Sequence, residues 1–134
     1  MNRKVGVWVD HRKAIVVHVS DSGEETIHVE SGAESQLRRS GDQTTGSFEA
    51  LQVPSDDTRE RKYMAELNTF YDEVISHFVN SKAIFICGPG EAPKELMSRM
   101  DAKHSVTGNV VLEAADSMTD AQVVARIRQY FQSQ

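Results

Sequence analysis

Hydrophobic and polar positions alternate with a period of two through the first part of the chain, and that pattern predicts strands. Val5, Val7 and Val9 alternate with Gly6 and Trp8, the signature of a strand with two different faces. Asp10 to Lys13 breaks the pattern with polar residues. It resumes from Ala14 to Val19, where Ile15, Val17 and Val19 share one face and Val16 and His18 the other. Asp21-Ser22-Gly23 is a turn, and Glu24 to Ser31 alternates again through Thr26, Ile27, His28 and Val29. The chain as far as Ser31 is therefore expected to form a three-stranded antiparallel meander.

From Gly32 to Asp57 no periodicity persists, and Ser, Gly, Thr, Asp and Gln dominate. A loop longer than about 12–15 residues inside a compact domain is uncommon and usually functional or disordered, so the length of the 32–57 segment draws attention to it. Tyr63, Leu67, Phe70, Tyr71, Val74, Ile75 and Phe78 then recur at helical spacing, predicting an amphipathic helix from Thr58 to Val79 with Ser55, Asp56 and Asp57 at its start. Lys82 to Gly88 is a continuous apolar run, as expected of a parallel strand covered on both faces. Gly88-Pro89-Gly90 breaks it, and Pro93 suits the first turn of a helix carrying Leu96, Met97 and Met100. Asn109 to Glu113 is a short strand, and Thr119 with Gln122 forms a capping box before Val123, Val124, Ile127, Tyr130 and Phe131. The order βββαβαβα joins a meander to parallel βα units. It implies an α/β domain of ribonuclease H-like, three-layer type, with a five-stranded mixed sheet flanked by helices.

Composition narrows the class. With 134 residues, 39% hydrophobic and 26% charged, the chain is expected to form a single domain, residues 1–134, able to hold a core without metal or disulfide. No apolar run approaches the roughly 20 residues that cross a bilayer, and Val5–Val9 is too short for a signal-peptide core, so no membrane partner and a cytoplasmic location are expected. Cys87 is the only cysteine and sits in the run Ala83–Cys87, the place of a small buried hydrophobe. A formal net charge of −5 excludes wholesale basic-surface nucleic-acid binding. It leaves local patches at Arg3-Lys4, Arg12-Lys13, Arg38-Arg39 and Arg59, Arg61 and Lys62.

Phe85-Ile86-Cys87-Gly88-Pro89-Gly90-Glu91-Ala92-Pro93-Lys94-Glu95-Leu96 resembles the strand–loop–helix segment of class-1 archaeo-eukaryotic peptide-chain release factors and Pelota. The order of elements around it is similar to the central domain of that family over nearly the whole chain, and looks closest to its short bacterial stand-alone relatives. In the full-length family, the loop before the first long helix carries a Gly-Gly-Gln tip that helps water attack the peptidyl-tRNA ester. The corresponding loop here is Leu37-Arg38-Arg39-Ser40-Gly41-Asp42-Gln43-Thr44-Thr45-Gly46. Gln43 stands where the family's glutamine would, but Asp42 replaces the middle glycine and brings negative charge to a tip that must approach RNA phosphates.

The resemblance, with Asp42 departing from it, leads one to expect a stand-alone, non-catalytic module that contacts the ribosome, rRNA or tRNA through Arg12, Lys13, Arg38 and Arg39, with Gly41 and Gln43 on the loop. Gly88, Gly90 and Lys94 are candidates for an anion site, since backbone N–H groups at a helix start attract negative charge. Two enzymatic alternatives stand beside it: ester hydrolysis through Gln43, and metal-dependent nuclease chemistry through Asp10, Glu91, Glu113 and Asp116, which needs several converging carboxylates. A third alternative is a protein-binding module, or a homodimer, using a sheet edge. No GxxxxGK[ST], GxSxG, HxxxH or HxH pattern is present, so neither a cofactor nor a metal is expected.

Overall fold

The computed structural model describes residues 3–32, 56–103 and 108–133. Three strands open the chain, β1 (Arg3–Val9), β2 (Lys13–Ser20) and β3 (Gly23–Glu30). Helix α1 (Asp56–Ser76) leads to β4 (Ser81–Gly88), α2 (Ala92–Lys103), β5 (Asn109–Ala114) and α3 (Asp120–Gln132). The five strands form one sheet in the order β3-β2-β1-β4-β5. β1–β2 and β2–β3 are antiparallel, whereas β4 runs parallel to both β1 and β5. The expected mixed sheet is present, with β1 at its centre, and the described residues follow the βββαβαβα order.

The period of two sorts the strands' side chains into two cores. Val5, Val7, Val9, Ala14, Val16, Ile84 and Ile86 face α1 and α2, where Leu67, Phe70, Tyr71, Val74, Phe78, Leu96 and Met100 close over them. Trp8, Ile15, Val17, Phe85 and Cys87 point the other way, against Val123, Ile127 and Phe131 of α3. Gly6 makes that second packing possible: a Cβ there would lie 2.5 Å from the Ile127 side chain. α3 begins with the predicted capping box, Thr119 Oγ1 accepting from the Gln122 N–H at 3.2 Å and Gln122 Oε1 from the Thr119 N–H at 2.9 Å.

α1 stops at Ser76, three residues before the expected Val79. Asn80 takes a left-handed conformation (φ 67°), which an asparagine tolerates better than most residues, and the Ser81 N–H turns back to the Phe78 carbonyl. Ser55 and the side chains of Asp56 and Asp57, expected to start this helix, lie outside the described residues, as does most of the 32–57 loop. α1 and α2 are tied by Arg99, which donates from Nε and an Nη to the two oxygens of Asp72 at 2.8 and 3.0 Å.

β1 and β4 approach so closely at their carboxyl ends that only glycine fits. A Cβ on Gly88 would stand 2.1 Å from the Val9 carbonyl oxygen, and its φ of 151° is one L side chains rarely adopt. Gly88→Ala is therefore expected to destabilise the domain by about 2–4 kcal/mol, strain and overpacking combined, as measured by urea unfolding.

Candidate functional site

Because β1 and β4 are parallel, and in register through Trp8 and Cys87, two segments singled out in the sequence arrive at the same edge of the sheet. One is the β1–β2 turn, Asp10 to Arg12; the other is Gly88-Pro89-Gly90 with the start of α2. From β1 the chain moves to β2 and β3 on one side, and from β4 to β5 on the other. Ligand crevices of open α/β sheets form at such a divergence, beyond the carboxyl ends of the strands.

The turn is built around Asp10. Its Oδ1 accepts the N–H groups of Arg12 and Lys13, both at 2.8 Å, and the Asp10 N–H donates to the Lys13 carbonyl at 3.0 Å. This is the local turn chemistry an aspartate favours. Arg12 and Lys13 are left with exposed side chains, and the Lys13 ammonium lies 5.8 Å from the centre of the Trp8 ring. Trp8 is only 1% exposed and its indole N–H donates to the Asp116 carbonyl at 3.0 Å, so it is a core aromatic rather than a stacking platform.

His11 turns inward from the same turn. Its Nε2 lies 3.0 Å from Glu95 Oε1 on α2, and Tyr71 on α1 donates its hydroxyl to that same oxygen at 2.7 Å. The Tyr63 ring meets His11 edge-on with centroids 6.4 Å apart. Burial, and then the bonded Glu95 carboxylate, hold the Tyr71 hydroxyl above its ordinary pKa, so it stays a neutral donor. Tyr71 belongs to no motif, and Glu95 enters the sequence reading only as one position of the segment Phe85–Leu96. Tyr71 reads as part of an apolar helical stripe, and only the packing of α1 beside α2 brings its hydroxyl to a carboxylate 24 residues away.

Gly90 (φ 63°) and Lys94 are exposed beside this cluster, Gly88 is buried, and the Gly88 carbonyl accepts from the Ala115 N–H at 3.0 Å. The acids Glu91 and Glu95 and the donor-less nitrogen of Pro93 occupy the same helix start. The four carboxylates weighed for metal chemistry have other surroundings. Asp10 caps its turn, and Glu113 receives Arg126 through both oxygens, with the guanidinium 5.3 Å from the Phe85 ring centre. Glu91 lies just before α2, and Asp116, whose main-chain carbonyl accepts from the Trp8 indole, lies in the segment between β5 and α3. Among the described residues no group of three His, Cys, Asp or Glu side chains is placed to hold a metal ion. Arg38, Arg39, Gly41 and Gln43 lie outside the described residues. No described helix is long and apolar enough to cross a membrane.

No family model matches the chain and no curated protein matches it in sequence. Solved structures do match. Archaeoglobus fulgidus Pelota is 12% identical with a TM-score of 0.56, over 96% of this chain and 31% of that one. The archaeal translation termination factor aRF1 is 14% identical with a TM-score of 0.51, over 98% of this chain and 39% of that one. Dom34 of S. cerevisiae, a translation termination-like factor involved in RNA quality control pathways and interacting with Hbs1, is 16% identical with a TM-score of 0.48, over 97% and 34%. The chain thus spans well under half the length of each. It has the fold of the central domain of Pelota and aRF1, as the segment Phe85–Leu96 led one to expect.

Cys87, beneath this edge, is a core group. Burial, with the Glu113 charge adding and Arg126 opposing, pushes its thiol from the ordinary 9.0 up to about 12. Native protein is expected to leave Cys87 unmodified by a thiol reagent near neutral pH, whereas urea-unfolded protein reacts fully, as mass spectrometry would show. A thiol pKa raised on folding stabilises fully below the unfolded value. Unfolding free energy should therefore fall as pH climbs from about 9 towards 12, less steeply in Cys87→Ala.

Proposed function

We propose that this chain is a translation-associated RNA-binding module, corresponding to one domain of a larger class of translation factors. The observation that carries the reading is the fold match that takes in 98% of this chain and 39% of an archaeal translation termination factor. The exposed Arg12 and Lys13, held on a turn with fixed backbone, supply the chemistry. Two adjacent cations on a rigid scaffold suit a pair of phosphate oxygens, and contacts of this kind position a protein on RNA without reading its sequence. Arg38, Arg39, Gly41 and Gln43 belong to the same proposed interface, and Gly90 and Lys94 extend it along the edge. The net charge of −5 disfavours general attraction to polyanions, so binding of this kind would depend on local basic groups.

Ribosome co-sedimentation tests it. Wild-type protein is expected to pellet with ribosomes at low salt, and raising the salt from about 50 to about 200 mM should weaken binding by roughly tenfold for every two phosphate contacts made. Arg12→Glu/Lys13→Glu and Arg38→Glu/Arg39→Glu should each move the protein to the supernatant. Wild-type protein that stays in the supernatant at every salt concentration would end this reading.

A second reading, self-association, rests on β5. It is an edge strand with Val111 41% and Leu112 37% exposed, and it carries neither lysine nor proline to discourage pairing. Elution that shifts with concentration in the wild type, and not in Val111→Lys, would favour it. A monomer at every concentration would remove it.

A further inference from the structure

The β1–β2 turn is held more completely than a surface hairpin requires. Asp10 Oδ1 takes two of its N–H groups, the Arg12 carbonyl accepts from the Ser31 N–H at 2.9 Å, and the His11 carbonyl accepts from the Ser31 hydroxyl at 2.7 Å. Those bonds close the turn on itself and join it to the residue that follows β3. His11 adds one of a different kind, because its imidazole reaches across to α2. There Glu95 Oε1 receives both the imidazole, at 3.0 Å, and the hydroxyl of Tyr71, at 2.7 Å. Tyr71 is 1% exposed, so this ladder starts in the α1 core and ends on the backbone of the residue preceding Arg12.

Each member has a simpler explanation that leaves something over. A glutamate in the first turn of a helix is favoured by the helix dipole wherever its side chain points, and the dipole does not require it to meet two donors at one oxygen. A tyrosine in the α1 stripe fills space that phenylalanine would fill as well, and its buried hydroxyl is tolerated because Glu95 accepts from it. The carboxylate accepts from both partners, so it is the imidazole Nε2 that carries the proton. That sets the orientation of the ring towards Glu95 and adds a contact to α2 that the turn's own bonds do not supply.

We propose that Glu95, clamped by Tyr71, is a positioning residue that acts through His11 to hold Arg12 and Lys13 ready for phosphate oxygens. The inference rests on the RNA-binding reading and deepens it. Glu95 and Tyr71 touch no ligand. They spare the turn the ordering that binding would otherwise impose, an effect on the order of tenfold in affinity.

The test separates positioning from charge. Glu95→Gln, His11→Asn and Tyr71→Phe are compared with wild type and with Arg12→Glu. Amide hydrogen exchange is followed at Arg12 and Lys13, with Ile86 of β4 as the internal control. Affinity for a labelled single-stranded RNA of about 20 nucleotides is measured across a salt series. The three positioning variants should speed exchange at Arg12 and Lys13 while Ile86 stays protected, and should lower affinity roughly tenfold with an unchanged salt dependence, because the cations are still present. Arg12→Glu should instead flatten the salt slope by about one. Unchanged exchange at Arg12 and Lys13 in Glu95→Gln and His11→Asn would overturn the proposal, and so would an affinity loss in them that comes with a flattened slope. Should Tyr71→Phe also loosen Ile86, the two surface variants decide. Wild-type protein that binds no RNA at any salt would end the functional reading, and exchange at Arg12 and Lys13 alone would then decide whether the ladder holds the turn.

Discussion

The parallel pairing of β1 with β4 is the constraint on which the rest of the molecule depends. It joins the amino-terminal meander to the βα units, and it is closed at its carboxyl end by the approach of Gly88 to the Val9 carbonyl. Both strands are buried on both faces, so their side chains supply most of the two cores at once. The loss of this pairing would separate a three-stranded hairpin sheet from a two-stranded remnant, neither with enough apolar surface to stand alone.

The same pairing makes the candidate site. Loops leaving the ends of adjacent parallel strands must emerge side by side, and here they carry opposite kinds of residue. The β1–β2 turn offers exposed cations, and the β4–α2 segment offers glycines, acids and a lysine. The His11–Glu95 contact bridges the two. In an acidic chain this gathers basic side chains on a fixed frame at one edge, which is a condition for local phosphate contact without general affinity for polyanions.

Reactive-looking groups elsewhere have structural tasks. Cys87 is buried in the core it shares with Phe85 and the α3 side chains, its thiol held neutral, and each Glu113 oxygen accepts from Arg126. Asp10 stands at the end of a central strand, where a nuclease of this architecture would keep a metal ligand, and it is spent on the two N–H groups of its own turn. These assignments agree with the interaction role proposed for the domain.

The amino-acid sequence by itself determined the element types, their order and the capping box of α3, because these follow from local periodicity and from contacts within a few residues. Val5–Val9 and Ala14–Val19 announce their faces by alternation, Lys82–Gly88 announces a strand covered on both faces by its continuous apolar run, and Phe85–Leu96 carried the resemblance that the fold then matched. The end of α1 was misplaced by three residues, since Asn80 acts through a backbone angle that no hydrophobic pattern records. Only the tertiary structure decided that His11, Tyr71 and Glu95 meet. They lie on three elements, separated by 24 residues or more, and their contact depends on how two helices pack across one face of the sheet. Such a meeting is set by side-chain volumes and strand register, quantities summed over the whole core and written at no single position.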